Sequence, residues 1–261
     1  MSQSPLLEVD GIRRCFGGLV ALDQVTFKVE AGQIKGVIGP NGAGKTTLFH
    51  IISGLLRPRR GQIRMAGRRI SGKPPHRIAH GGLSRTFQSL SLFDNMSVIE
   101  NVMVGRHART GCGLLAAALR PPHQRREERA VRDAAQEAIE SVGLGKLAER
   151  PVGALSFGQR RMVELARALA TEPRLLLLDE PASGLNTRET DDLGRMIREI
   201  RDRGITILLV EHDMSLVMDI CDDLVVLDFG KPIAEGPPDL VRNDPNVVAV
   251  YLGGDFENAA R

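Results

Sequence analysis

The chain has 261 residues, 42% of them hydrophobic and 26% charged, with a formal net charge of +3, a balance typical of a globular protein built as one large domain or a core plus a subdomain. The small net charge and the 3% aromatic content, with no Trp, argue against nucleic-acid binding, which shows as a concentrated basic face, with aromatic stackers where the strand is single. Cys15, Cys112 and Cys221 are widely spaced and outside any CxxC arrangement, which argues against a disulfide framework or a zinc site and suits a reducing compartment.

The N-terminal "MSQSPLLEVDG" lacks the basic-then-apolar pattern of a signal peptide. No apolar run approaches the roughly 18 residues of a membrane span; "ITILLV" (Ile205 to Val210) is strand-sized. A cytoplasmic protein is expected, and any membrane span in its assembly would come from another chain.

From Leu6 to about Met65, short alternating runs such as "VTFKVEAG" and "GQIRMAG" predict antiparallel strands. "IKGVIG" (Ile34 to Gly39) is continuously apolar and enters a glycine-rich loop, as a buried parallel strand does. That loop, Gly39 to Thr47 ("GPNGAGKTT"), fits G-x-x-x-x-G-K-[ST] between a predicted strand and a predicted helix. Its glycines let backbone N–H groups curl around phosphate oxygens at the positive end of the following helix. Lys45 would reach the β- and γ-phosphates, and the Thr46 hydroxyl would ligate Mg²⁺. Such a cradle serves ATPases, GTPases and kinases alike.

The pattern turns helical from about Gln88. Ser97 and Glu100 form a capping box, and Val131, Ala134, Ala135, Ala138, Ile139 and Val142 share one helix face. Between them lies "RTGCGLLAAALRPPHQRREER", whose cluster Arg120, Arg125, Arg126 and Arg129 suits anionic headgroups, a membrane subunit or a solvated helix face. "LSFGQ" (Leu155 to Gln159) opens another helix, with Ser156 at the N-cap and Met162, Val163, Ala166 and Leu169 as its apolar stripe. The Ser156 hydroxyl and the N–H groups from Phe157 to Gln159 make a phosphate site with no base or metal of its own. Such a loop can complete an active site but cannot constitute one. Two chains arranged head to tail would set this loop of one over the cradle of the other.

Beyond Pro173, the strand patterns "LLLLD", "ITILLVEH" and "LVVLD" alternate with helix patterns such as "ETDDLGRMIREIRDRG", predicting βα units and a parallel sheet. "LLLLDEP" puts Asp179 at the C-terminal end of an apolar strand, where open α/β sheets bind ligands. Asp179 would hold Mg²⁺ through water, and Glu180 is placed to orient or deprotonate an attacking water. The expected organisation is a P-loop α/β core over residues 1–87 and 173–254, including an N-terminal antiparallel sheet. A helical subdomain spans 88–172, and residues 255–261 form a frayed tail.

These motifs, in this order, resemble the ATP-binding subunits of ABC transporters over essentially the whole chain. Gly39 to Thr47 resembles the Walker A motif, with Gly39, Asn41, Gly42, Ala43, Gly44, Lys45, Thr46 and Thr47 as its nucleotide contacts. Gln88 in "RTFQ" resembles the Q-loop, Ser156, Gly158 and Gln159 the signature, Asp179 and Glu180 the Walker B pair, "SGLN" (Ser183 to Asn186) the D-loop, and His212 in "VEHD" the H-loop. The resemblance implies ATP and Mg²⁺ as cofactors and hydrolysis in a closed cassette dimer. His212 would contact the γ-phosphate, and Gln88 would join Thr46 and Asp179 as a metal ligand and link the metal site to the helical subdomain. Phe16 resembles the aromatic residue that stacks on adenine, although a lone Phe also suits a core. Two positions depart from the family pattern: the signature's third residue is commonly Gly and here is Phe157, and the D-loop commonly ends in Asp and here ends in Asn186.

The run "EPASGLNTRET", the strand end "LVEHDM" and the closing "VYLGG" resemble the branch that serves branched-chain amino-acid importers. That branch implies a second cassette, integral membrane permeases and, indirectly, an extracytoplasmic solute-binding protein. The chain itself would sit as a peripheral subunit at the cytoplasmic face of the inner (plasma) membrane. The competing expectations are a soluble assembly or scaffold ATPase of the same class, and a cassette moving another substrate such as lipid or lipopolysaccharide.

Overall fold

The computed structural model describes residues 5–86, 91–106 and 122–258. The chain divides into two compact units, 1–78 with 177–261, and 79–176.

In the first unit, β1 (Leu7–Phe16), β2 (Leu19–Val29), β4 (Arg60–Met65) and β5 (Arg68–Arg69) form a sheet in the order β2-β1-β4-β5. The alternation read in the sequence becomes its buried face, with Leu7, Val9 and Ile12 of β1 against Leu22, Val25, Phe27 and Val29 of β2 all buried. A register shift near Gly11 bends β1, and the Gly11 N–H turns to the Thr26 hydroxyl at 2.9 Å.

The core sheet of this unit runs β10-β9-β3-β8-β7. It comprises β3 (Ile34–Ile38), β7 (Leu175–Asp179), β8 (Thr206–Val210), β9 (Asp223–Asp228) and β10 (Lys231–Gly236). β3 lies between β8 and β9, parallel to both, with Ile34 opposite Ile207 and Lys35 opposite Asp223. β3, β7 and β8 are buried along their whole length, which is why their sequences are continuous apolar runs rather than alternating ones. Lys35 interrupts the run on β3. Its ammonium, buried at 2% exposure, bonds Asp223 at 2.5 Å and also the Glu235 carboxylate of β10, with the Phe27 ring 5.7 Å away.

Around this sheet stand α1 (Lys45–Ile52), α2 (Pro75–His80, which carries the boundary between the units), α6 (Thr187–Asp202), α7 (Met214–Ile220), α8 (Pro238–Arg242) and α9 (Pro245–Asn258). Asn186 and Glu189 cap α6 reciprocally, at 3.1 and 3.0 Å.

The second unit holds β6 (Leu83–Arg85) and the helices α3 (Val98–Arg106), α4 (Pro122–Ser141) and α5 (Phe157–Leu169), which pack on one another. The Gly82 carbonyl takes the N–H groups of Arg174 and Leu175, where β7 begins. The expected capping box at α3 is present, Ser97 N–H to Glu100 at 2.7 Å and Glu100 N–H to the Ser97 hydroxyl at 3.3 Å. Asn101, fully buried on α3, holds the preceding loop through the Phe93 N–H and the Phe93 and Ser97 carbonyls. On α4, Ala135, Ala138 and Ile139 are buried, and Val131 and Ala134 half-buried. On α5, Val163 and Ala166 are buried, but Met162 and Leu169 are only half-buried. The helix instead buries an ion pair, Arg161 with Glu164 at 3.2 Å. Among the described residues, no helix is long and apolar enough to cross a membrane.

Candidate functional site

The apolar strand β3 ends at Ile38, and the next residues form a loop that only glycine can close. Gly39 has φ +147, and a Cβ there would lie 2.0 Å from the Leu227 carbonyl oxygen. Gly44 has φ +99, and a Cβ would meet the Ala21 carbonyl at 2.6 Å. Both positions are therefore closed to other residues by backbone conformation and by space. Asn41 and Gly42 are exposed at the loop tip, and Ala43 is buried beneath it. Gly44 is the N-cap of α1 and has no side-chain cap, so the first turn presents its N–H groups towards an incoming anion.

Lys45 begins α1. Its side chain is 6% exposed and its ammonium donates to the carbonyls of Gly39 and Pro40, at 2.7 and 3.0 Å, so the cation lies across the loop mouth. Burial pulls the Lys45 pKa below the ordinary lysine value, opposed by the nearby negative charges of Glu180 and Asp179. Those two carboxylates favour the charged form of the ammonium and offset part of the cost of burying it. Thr46 is exposed on the first turn and Thr47 half-buried behind it.

Asp179, the last residue of β7, is 4% exposed. Glu180 follows with φ +48, a left-handed conformation that a non-glycine residue adopts at a strain of order 1–3 kcal/mol. Its N–H is fixed to the Val210 carbonyl at 2.9 Å, and its Oε1 lies 2.8 Å from Nε2 of His212. β7 and β8 thus deliver a carboxylate and an imidazole from neighbouring strand ends, the edge of a parallel sheet where ligand chemistry is placed.

Among the described residues, no group of three or more His, Cys, Asp and Glu side chains gathers to hold a metal alone. A hydroxyl and a carboxylate suit Mg²⁺, which takes one or two protein oxygens and completes its shell with substrate phosphates and water. Thr46 and Asp179 belong to the same unit and fit that donor set.

The other sequence-predicted residues lie on other elements. Phe16, at the end of β1, is 44% exposed with the Arg14 guanidinium 4.8 Å over its ring, so it is a surface aromatic and not a core one. Ser156 is the N-cap of α5. Its hydroxyl accepts the Gln159 N–H at 3.3 Å and its own N–H donates to Gln159 Oε1 at 3.0 Å, closing a capping box. Phe157 is exposed with the Arg161 guanidinium 5.8 Å from its ring, and Gly158 is half-buried. Gln88, Cys112 and Arg120 lie outside the described residues; Arg129 is exposed.

Two residues near the site were not singled out in the sequence. Glu211, buried at 4% exposure, sits between β8 and His212; a carboxylate directly after an apolar strand was the available signal. Tyr251, on α9, has its hydroxyl pushed up in pKa by burial, while a hydrogen bond with the Gly39 backbone pulls it down. Nothing local in the sequence links a C-terminal tyrosine to the start of the cradle.

Residues 22–183 match the family model described as "ABC transporter". Residues 231–257 match the one described as "Branched-chain amino acid ATP-binding cassette transporter". The high-affinity branched-chain amino acid transport ATP-binding protein BraF of Pseudomonas aeruginosa is 46% identical over 250 residues, covering 95% of this chain and 98% of that protein. The corresponding LivG of Escherichia coli is 43% identical over 254 residues, covering 97% and 99%. Among solved structures, the ADP conformation of an ATP-binding cassette of an ABC transporter superposes with a TM-score of 0.84 at 33% identity, covering 96% of this chain and 100% of that one.

Proposed function

This chain belongs to the ABC transporter family of ATP-binding cassettes, ATPases coupled to transport, and from that premise we propose that it is the energy-coupling subunit of a branched-chain amino-acid importer. It would act as a peripheral subunit at the cytoplasmic face of the inner membrane, beneath integral permeases that receive solute from an extracytoplasmic binding protein. The observation that carries the substrate class is the match of residues 231–257 to the branched-chain cassette model. Near full-length identity to BraF and LivG supports the same class.

In this reading, the Gly39–Thr47 cradle and the Lys45 ammonium bind the ATP phosphates. Mg²⁺, held by Thr46 and Asp179, would neutralise charge on the β- and γ-phosphates. Glu180 takes the proton of the water that attacks the γ-phosphorus, and His212, 2.8 Å from its carboxylate, holds that carboxylate in orientation. Gln88 would report the nucleotide to the helical unit, and Phe16 would stack on the adenine. Ser156, Gly158 and Gln159 would close over the cradle of a second cassette, which makes hydrolysis depend on the paired form.

Uptake tests the substrate class. The chain reconstituted with its permeases and a second cassette in proteoliposomes should accumulate leucine, isoleucine or valine with ATP inside. Uptake of another solute class, with none of these three, overturns the assignment. In the same assay, Glu180→Gln should leave ATP binding intact and lower turnover by roughly 10²–10⁴-fold, the scale of a lost general base.

A further inference from the structure

We propose that Glu211 is a positioning residue that holds Glu180 and His212 in register with each other. The proposal rests on the reading of Glu180 as the base. Glu211 is 4% exposed although His212 and Asp213 beside it are exposed, and a carboxylate in that position persists only when donors replace its water. Its donors come from two segments. Oε1 accepts the Ala182 N–H at 2.7 Å, from the loop that follows β7. Oε2 accepts the N–H groups of His212 at 2.8 Å and Asp213 at 3.3 Å, from the loop that leads into α7.

One side chain therefore fastens the backbone two residues beyond Glu180 to the backbone of His212 itself. The neighbouring Val210 carbonyl adds a second tie, to the Glu180 N–H at 2.9 Å. Between these ties sits Glu180 at φ +48, a conformation that survives only where its surroundings over-determine it. Without the Glu211 carboxylate, the Ala182 tie is lost, Glu180 loses one of the restraints on its backbone, and the 2.8 Å contact to His212 is held less firmly. A neutral Gln at 211 has a single acceptor oxygen, so it can serve Ala182 or the His212–Asp213 pair but not both.

The test compares Glu211→Gln, Glu211→Ala and Glu180→Gln with ATP and Mg²⁺ in the transporter reconstituted with its permeases and a second cassette. ATP affinity and stoichiometry are measured by calorimetry, and turnover is expressed per ATP-binding site. The expected result is unchanged ATP affinity and KM with kcat lowered about 10-fold for Glu211→Gln and about 100-fold for Glu211→Ala, the scale of a misplaced reacting group. Turnover per binding site within twofold of the native protein in Glu211→Gln, with Glu180→Gln inactive, makes Glu211 a purely structural anchor and overturns the proposal. Full turnover in Glu180→Gln overturns the reading of the base and this proposal with it. If Glu211→Ala does not fold, Glu211→Gln, which keeps the side-chain shape, decides.

Discussion

Helices α1 and α5 both begin where a phosphate could be received, and they are finished in opposite ways. α1 starts on Gly44 with no side-chain cap, under the buried cation of Lys45. α5 starts on Ser156, whose hydroxyl and N–H are both engaged with Gln159. The first start leaves its donors unmet and adds a positive charge, so it is complete only with an anion. The second meets part of that need from its own side chains and holds its shape through the capping box. A clamp of that kind has spent the Gln159 N–H on its own cap but keeps the Ser156 O–H to donate to a phosphate, because a hydroxyl that accepts still has its proton to give.

The contrast is broken most severely at the cradle. Gly39→Ala should abolish measurable ATP binding, because the added Cβ meets the Leu227 carbonyl at 2.0 Å; calorimetry showing native affinity would remove the steric argument for this loop. Lys45→Ala should weaken ATP binding about 10- to 100-fold, the loss of charge-assisted hydrogen bonds worth about 1.5–3 kcal/mol. Ser156→Ala sharpens the comparison from the other side. Its ATP affinity should stay native while thermal unfolding shows a loss of about 1 kcal/mol for the missing cap, together with lower turnover in the assembled transporter. An ATP affinity that falls with Ser156 in the isolated chain would erase the distinction between the two helix starts.

The sequence made the cradle legible because its determinants are local: an apolar strand, glycines at fixed spacing, Lys45 and the helix that follows. The capping box at Ser97 and the N-cap at Ser156 were legible for the same reason. What it hid depends on residues distant in the chain. Glu211 reads as one more polar residue after a strand, and only the approach of Ala182 makes it a buried brace. Lys35 breaks an apolar run, and its meaning comes from Asp223 and Glu235, almost two hundred residues away. On α5, helical periodicity put Met162 and Leu169 inward, yet the structure buries the Arg161–Glu164 pair, because two opposite charges can enter a core together when neither can alone. The φ of Glu180 has no sequence signal, since nothing in the residue type asks for a left-handed backbone.

The Lys35 cluster carries a consequence for the C-terminal segment. The ammonium sits on the strand that feeds the cradle, and one of its two carboxylates, Glu235, belongs to β10. A chain truncated after the β9 strand would strand that cation in the interior with half its counter-charge, a defect that burial makes severe. The β10 strand is thus no detachable appendage: the strand that feeds the nucleotide loop draws part of its counter-charge from it.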